Sequence, residues 1–260
     1  MGALMPKAGD LQSYWRLLRT GEDAVSAIPE THWKLADYYD ADPKAKDKTY
    51  ATRGAFLDAT SFDPTEFGIP PSILEAIDTS QLLGLVCARM AMDDAGYGDA
   101  VSWDKSRAGV VLGVTGTQEL VISLGARLGH PHWRRALVES GVDAETTDEV
   151  VERIGRAYVG WQEQSFPGLL GNVVAGRIAS RLDFGGTNCI LDAACASSLY
   201  AIKLACDRLH AREADVMVAG AVNAADDLFI HIGFCALGAM SKTGQSRPFH
   251  RDADGLAPAE

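Results

Sequence analysis

The 260-residue chain has a hydrophobic fraction of 47%, which is ordinary for a globular protein and predicts a folded chain. Its net charge of −11 disfavours non-specific binding to nucleic acid or to an anionic membrane. No apolar run suits a signal peptide or a membrane span, so we expect a cytoplasmic protein that binds neither membrane nor nucleic acid. The five cysteines include no CxxC pair, so we expect no disulfide framework, no metal and no directly bound cofactor.

The first predicted element is an amphipathic helix near the start of the chain. Asp10 is placed to cap it and Gly21 to end it. The face predicted to turn inward consists of Leu11, Tyr14, Trp15 and Leu18. Residues 29–60 are rich in turn formers and predict loop with a short hairpin, and the prolines within residues 63–71 predict a further loop.

The middle of the chain alternates helical and strand patterns. A broad apolar stripe predicts a helix from about residue 72 to residue 95, with Gly96 ending it. The run AGVVLGVT at 108–115 is typical of a strand buried on both faces. Residues 144–164 predict a charged amphipathic helix, and a second helix is predicted over 171–181, after a break at Pro167 and Gly168.

The last third of the chain carries a βαβ pattern. Residues 188–193 predict a short strand, residues 196–212 a helix, and residues 215–222 an apolar strand. This order predicts a parallel sheet and places the chain in the α/β class. The helix positions predicted to face inward, at helical spacing, are Leu199, Ile202, Cys206 and Leu209.

Cys195 lies between the first strand and the helix of this unit, in the segment LDAACASSL. Its small neighbours permit a sharp strand-to-helix turn and let another molecule approach the sulfur closely. A helix that begins here directs its dipole and free N–H groups at the sulfur, which favours the thiolate. From these residues alone, a nucleophile and a tightly packed structural cysteine remain open alternatives.

Several segments resemble one family. DAACASSLYAIKLA resembles the active-site segment of the β-ketoacyl synthases, or ketosynthases, of the thiolase superfamily. SYWRLLRTGEDAVSAIP resembles the opening helix of type I polyketide synthase ketosynthases, and the segment from Ser165 to Ser198 is similar to those of iterative polyunsaturated-fatty-acid synthases. The resemblance implies the N-terminal half of a thiolase-like α/β fold, with a mixed, mostly parallel sheet and helices on both faces. Residues 1–260 are then expected to be the N-terminal portion of a ketosynthase domain, with its first strand and C-terminal half absent.

The resemblance also implies an activity and its partners. Cys195 would take up an acyl chain as a thioester, and a malonyl-type thioester on an acyl carrier protein would lose carbon dioxide and condense with it. The phosphopantetheine arm of the carrier would present the substrate, in a homodimer joined to adjacent synthase domains. Phe234 resembles a residue lining the acyl pocket, with a plain core aromatic as the alternative. Phe166 resembles a region that reaches the partner subunit's pocket, with a surface anchor as the alternative.

The sequence departs from the family at the histidines. Family members use two histidines in segments resembling HGTGT and NIGH, and neither segment occurs here. We therefore expect this chain by itself not to catalyse condensation. The alternatives are a thiol acyltransferase or hydrolase, and a non-enzymatic piece that serves as a scaffold or in dimerisation. The histidines that do occur, none in a matching motif, are His32, His130, His132, His210, His231 and His250.

Overall fold

The computed structural model describes residues 1–98, 101–115, 119–223 and 228–260. The α-helices are α1 (Leu11–Thr20), α2 (Leu35–Tyr38), α3 (Thr79–Asp94), α4 (Glu119–Arg127), α5 (His130–Glu139), α6 (Ala144–Gly155), α7 (Ser165–Leu169), α8 (Asn172–Leu182), α9 (Ser197–His210) and α10 (Leu228–Ala236). The strands are β1 (Ser26–Ala27), β2 (Arg53–Gly54), β3 (Ala108–Gly113), β4 (Asn188–Leu191) and β5 (Val216–Ala221). Short 3-10 helices cover Pro64–Phe67, Pro71–Ala76 and Ala194–Ala196.

The chain divides into two compact units, and the division falls inside α3. Unit 1 comprises Met1–Ser61, Val86–Trp103 and Asn223–Glu260. Unit 2 comprises Phe62–Leu85 and Asp104–Val222, and so contains the predicted βαβ pattern. None of the helices in the described parts of the chain combines the length and apolar character needed to cross a membrane.

Unit 2 is built around a three-stranded parallel sheet in the order β4-β3-β5. The six residues of β3 are all buried, as the apolar run AGVVLG predicts for a central strand. Val110 pairs with Asn188 of β4 on one side and with Val218 of β5 on the other. The predicted parallel βαβ unit is therefore confirmed, and β3 lies between its two strands.

Helices cover both faces of this sheet. Gly113 lies against α9, because a Cβ built on it would be 2.5 Å from Ser197 Cβ. Val114, the next residue, points to the opposite face, where its side chain and that of Ile190 lie close to Gly171, just before α8. The sheet is thus sandwiched between α8 and α9, and the predicted α/β class with helices on both faces is confirmed.

The face of α9 that packs on the sheet is not the predicted one. Its buried residues are Ser197, Ala201 and Ala205, which are small enough for the helix to approach the strands closely. The four larger residues predicted to face inward are all exposed, with Leu199 70% exposed. The prediction for Leu199, Ile202, Cys206 and Leu209 is therefore wrong.

Helix α1 begins and ends as predicted but presents a different side chain to the core. The Asp10 carboxylate accepts a hydrogen bond from the Ser13 amide at 2.7 Å, and Gly21 ends the helix at a φ of 67°. Leu17 is its buried residue, whereas Trp15 is 61% exposed and Leu18 is exposed as well. Leu11 and Tyr14 are half-buried, so the prediction is wrong for Trp15 and Leu18, and it omitted Leu17.

In unit 1, β1 and β2 form an antiparallel pair. It is not the short hairpin predicted within residues 29–60, because β1 precedes that range and residues 28–52 separate the two strands. The rest of residues 29–60 is largely loop, interrupted by the short helix α2. A small core forms where Tyr50 and Ala51 pack with Cys235 and Met240. The Tyr50 hydroxyl donates to the Met240 carbonyl at 3.2 Å, which ties the early loop to the segment after α10.

Several element boundaries differ from the predictions. Residues 63–71, predicted as loop, contain 3-10 turns. The helix predicted from residue 72 begins instead at Thr79. Asp78 caps it there, because its carboxylate accepts from the Ser80 amide at 3.0 Å. Helix α6 ends at Gly155, nine residues before the predicted end. Helix α7 includes Pro167 and Gly168, where a break was predicted, and α4 and α5 were not predicted.

Candidate active site

Cys195 lies on the sharp turn between β4 and α9, within the 3-10 turn Ala194–Ala196. It follows the carboxyl end of a parallel strand, which is where α/β folds commonly place ligand-binding residues. Its side chain is exposed. Cys206 is the other exposed cysteine, Cys235 is buried, and Cys87 and Cys189 are half-buried.

Side-chain hydrogen bonds from three residues hold this turn. The Asp192 carboxylate accepts from the Ala194 amide and from the Thr115 hydroxyl, each at 2.9 Å. The Ser197 hydroxyl accepts from the Ala193 amide at 2.9 Å and donates to the Ala194 carbonyl at 2.7 Å. The turn is thereby tied to the end of β3 as well as to its own helix.

The backbone of the turn is strained at Ala194. Its φ of 48° lies in the left-handed region, which costs a residue with a Cβ about 1–2 kcal/mol. Strain of this kind persists only where the surrounding structure enforces it, and here the bonds to Asp192 and Ser197 do so. The strained residue directly precedes Cys195, so it sets the direction in which the sulfur leaves the sheet.

The amide of Cys195 is available to an external acceptor. At this turn the Ala196 amide donates to the Ala193 carbonyl at 3.1 Å, and the Ser197 amide donates to the Ala194 carbonyl. Among the described residues, the Cys195 amide has no acceptor of its own. A free N–H beside the sulfur, at the start of a helix, is suited to stabilise an oxyanion that forms when the sulfur attacks a carbonyl.

Cys87 is a much poorer candidate nucleophile. It lies in the second half of α3, in unit 1, and burial raises the pKa of its thiol. A raised pKa lowers the fraction of thiolate at neutral pH, and the thiolate is the reactive form. The exposed thiols of Cys195 and Cys206 are therefore the accessible ones, and only Cys195 lies at a helix N-terminus.

Comparison with known proteins identifies the family. Residues 1–260 match the family described as β-ketoacyl synthase, N-terminal domain. The chain belongs to the β-ketoacyl synthase family. It is 34% identical over 260 residues to one subunit of the polyunsaturated fatty acid synthase of Thraustochytrium sp., covering 100% of this chain and 9% of that protein. It is 32% identical over 251 residues to a pikromycin polyketide synthase component of Streptomyces venezuelae, covering 96% of this chain and 6% of that protein.

Solved ketosynthase structures have the same fold. An oxazolomycin ketosynthase domain from Streptomyces albus is 31% identical with a TM-score of 0.75, over 99% of this chain and 40% of that one. The ketosynthase from module 6 of the Bacillus subtilis bacillaene synthase is 26% identical with a TM-score of 0.75, over 99% of this chain and 37% of that one. The thiolase-like fold predicted from the resemblance is confirmed. The chain spans 40% or less of each of these relatives.

The two phenylalanines predicted to bind substrate lie in different units. Phe234 is on α10 in unit 1, half-buried against the core cluster that includes Tyr50 and Met240. Phe166 is on α7 in unit 2, and its side chain is 63% exposed. Their predicted roles toward a ketosynthase substrate stay predictions.

The histidines of unit 2 lie away from the Cys195 turn or are bonded elsewhere. His210 ends α9, about 20 Å along the helix from its first residue at 1.5 Å per residue. On α5, His132 accepts from Arg135 at 2.9 Å, and His130 lies 3.1 Å from the Arg127 carbonyl. Unit 1 holds the remaining ones, His32, His231 and His250. Within the ranges that the structure describes, no three potential metal ligands cluster, so the GHPHW segment has no third ligand there.

Sequence reasoning missed the residues that hold the turn, Thr115, Asp192 and Ser197. Asp192 and Ser197 flank Cys195 and carried a usable signal, since Asp and Ser side chains often bond nearby backbone groups in turns. Thr115 carried none, because it meets Asp192 across 77 positions of sequence.

Proposed function

We propose that this chain carries the acylation site of a ketosynthase, with Cys195 as the nucleophile. The Cys195 thiolate attacks the carbonyl carbon of an acyl thioester, and the negative charge moves to the carbonyl oxygen. The free amide of Cys195 donates to that oxyanion. The carbonyl then reforms, the carrier thiolate leaves and takes a proton, and the acyl chain remains on Cys195 as a thioester.

The reaction that follows in this proposal is a decarboxylative Claisen condensation. A malonyl-type thioester on the phosphopantetheine arm of an acyl carrier protein loses carbon dioxide. The electron pair of the broken bond forms an enolate, whose carbon attacks the Cys195 thioester. Cys195 leaves as the thiolate, and the carrier retains a β-ketoacyl chain two carbons longer. The resemblance assigns the stabilisation of the enolate to histidines in segments that this sequence lacks, so we propose condensation for the ketosynthase and acylation for these 260 residues.

The observation that carries the proposal is the exposed sulfur on a strained, hydrogen-bonded turn at the start of α9. A cysteine kept only for packing needs neither exposure nor an enforced left-handed residue before it. The other candidate functions differ in what they require of Cys195. A scaffold piece requires no reaction there, and a thiol hydrolase or acyltransferase requires a histidine within hydrogen-bond reach of the sulfur.

The test is acylation of the purified chain with a hexanoyl thioester of pantetheine, followed by intact-mass and peptide-mapping mass spectrometry. We expect a single hexanoyl adduct on Cys195, lost in the Cys195→Ala variant. Cys206→Ala is the matched control, because Cys206 is also exposed and lies on the same helix, and it should retain the adduct. An adduct on Cys206, or an unmodified chain, would refute the acylation role. Rapid hydrolysis of the adduct would instead favour a hydrolase.

We also propose that the ketosynthase is a homodimer joined at β4, an edge strand of the described sheet. The amides of Val110 and Val114 in unit 2 donate to the carbonyls of Thr187 and Leu191, so alternate residues of β4 face β3. The N–H groups of Asn188 and Ile190 then point toward the free edge. An unpaired edge of this kind is a template for another strand, and a two-fold axis would pair it with its twin.

The substitution Ile190→Pro tests this interface. It removes an outward-facing amide and leaves the bonds to β3, so we expect a folded monomer in light scattering where the wild type is a dimer. Leu191→Pro is the contrasting variant, since its amide faces β3 and its loss should lower the folding stability itself. A dimeric Ile190→Pro variant would contradict the proposed interface.

The predicted substrate contacts remain part of the proposal. Phe234 would line the acyl pocket, and the exposed side chain of Phe166 would reach the partner subunit. The acyl carrier protein and the adjacent domains of a cytoplasmic synthase would be the partners. Substituting Phe234 by alanine should then change the preferred acyl length without preventing alkylation of Cys195 by iodoacetamide.

A further inference from the structure

A second site lies in unit 2, away from the cysteine turn. Helix α8 and the start of β4 line an open pocket of about 310 Å³. Its polar lining residues are Asn172, Arg177, Ser180, Arg181 and Asn188. Asn188 is the first residue of β4, and Cys195 follows the other end of that strand. Asn188 and the nucleophile therefore lie at opposite ends of β4.

A buried glutamine fixes the orientation of one arginine in this pocket. Gln81 on α3 is fully buried, and its amide nitrogen lies within hydrogen-bond distance of three carbonyl oxygens around α7, with the shortest distance, 2.8 Å, to Gly168. With its NH₂ group engaged in this way, its oxygen accepts from Arg177 Nε at 2.9 Å. This bond restrains the guanidinium of Arg177, a residue that lines the pocket, so part of the ordering cost is already met by folding.

The positive charge in the pocket is not neutralised within the described chain. Arg177 and Arg181 are four residues apart on α8, and like charges at that spacing repel. Neither guanidinium has a carboxylate partner among residues 1–98, 101–115, 119–223 and 228–260. Burial, and secondly the charge of Arg181, lower the pKa of Arg177. This arrangement stands out in a chain with 35 acidic residues and a net charge of −11.

We propose that this pocket binds a tetrahedral oxyanion of the phosphate class. Two guanidinium groups offer forked donors that match phosphate oxygens. The side chains of Asn172, Ser180 and Asn188 also line the pocket and add neutral donors. Several separate donor groups suit an anion with three or four oxygens better than a carboxylate, which has two. The proposal does not depend on Cys195 or on the proposed ketosynthase reaction.

Calorimetric titration of the full chain with inorganic phosphate, at constant ionic strength set by chloride, tests the site. Arg181→Gln is the principal variant, because Arg181 is exposed and makes no hydrogen bond within the described residues, so the fold should tolerate its loss. We expect phosphate to bind the wild type, and Arg181→Gln to weaken the binding at least about tenfold, because the variant loses a charge-assisted hydrogen bond to the anion. Arg153→Gln is the matched control, an exposed arginine of α6 that should leave the affinity unchanged. Equal affinities for all three proteins would overturn the proposal.

A second variant and two further anions sharpen the test. Arg177→Lys keeps the charge but loses the Nε–H that Gln81 orients, so we expect it to weaken phosphate binding as well. An unchanged affinity would refute the role of Gln81. Dimethyl phosphate distinguishes a phosphodiester source from free phosphate, and binding of either more tightly than acetate supports the proposal. If acetate binds as tightly as phosphate, the assignment of the ligand to the phosphate class is wrong. The ligand is then a carboxylate, such as one from a second copy of the chain.

Discussion

The close packing of α9 on β3 predicts a large penalty for a single added methyl group. In Gly113→Ala, the new Cβ would lie 2.5 Å from Ser197 Cβ, 2.9 Å from the Ser197 carbonyl carbon and 3.1 Å from the Ser198 nitrogen. Two of these three atoms are backbone, so no side-chain rotation relieves the clash. Helix α9 must move away from the sheet, and Cys195 lies on the turn that leads into this helix.

The expected loss of stability is estimated from the cost of overpacking and compared with that of a control glycine in the same sheet. Overpacking of a close-packed site costs about 1–3 kcal/mol. Gly220, on β5 of the same sheet, has no atom within 4 Å of its built Cβ, so Gly220→Ala meets no such clash. Alanine there should stabilise by about 0.4–1 kcal/mol, by restricting the unfolded chain. Because alanine restricts the unfolded chain at both positions alike, the two variants should differ by the overpacking cost alone, about 1–3 kcal/mol, with Gly113→Ala the less stable.

Thermal and urea unfolding of the two variants measure this difference. For a chain of about this size, 1 kcal/mol corresponds to about 2–4 °C in melting temperature, so we expect the variants to differ by at least about 2 °C. Alkylation of Cys195 by iodoacetamide should also change in Gly113→Ala and stay at the wild-type rate in Gly220→Ala. Equal melting temperatures for the two variants would refute the inferred contact between α9 and β3.

Two further predictions concern hydrogen bonds at helix starts. Ser197→Ala removes the acceptor of the Ala193 amide and should destabilise the fold by about 1–3 kcal/mol in urea unfolding. Ser198→Ala is the control, at a neighbouring position without such a bond, and should leave the stability unchanged. Equal urea midpoints for the two variants would contradict the role of the Ser197 hydroxyl. The Ser13 amide lowers the pKa of Asp10, so the stability from this cap is present above about pH 3.9 and is lost as the pH falls through the lower pKa of the folded state. The Asp10→Asn variant keeps a neutral acceptor at this position. The melting temperature of the wild type should therefore exceed that of Asp10→Asn by less below pH 4 than above it. A difference in melting temperature that does not change with pH would contradict the prediction.

The central sheet could be predicted from sequence because its signals are local and redundant. The run AGVVLG contains too few polar groups to face water on either side, and β3 is buried throughout. A strand, a helix and a strand of suitable lengths within residues 188–222 leave few arrangements other than a parallel pair. The turn at Cys195 was also predictable, because alanines and serines between a strand and a helix favour a sharp connection, and the structure has one.

The packing face of α9 could not be predicted, because periodicity defines two stripes on this helix. Leu199, Ile202 and Leu209 form one, and the small residues Ser197, Ala201 and Ala205 form the other at equivalent spacing. Hydrophobicity favours the first stripe for burial. The sheet selects the second, because Gly113 brings the strand so close to the helix that only small side chains fit between them. That contact is a property of the pair of elements and is absent from either sequence segment alone.

The same reasoning explains why the proposed acylation site needs residues from distant parts of the chain. A strained residue at Ala194 is stable only if its neighbours hold it, and two of the hydrogen bonds that hold it come from side chains on either side of the turn. Asp192 is in turn fixed by Thr115, at the end of the neighbouring strand. Because parallel strands end at the same edge of the sheet, the register that pairs Gly113 with Leu191 places the residues just beyond both strands side by side. The orientation of Cys195 is therefore set by sheet register, and a slip of β4 against β3 would separate Thr115 from Asp192 and release the turn.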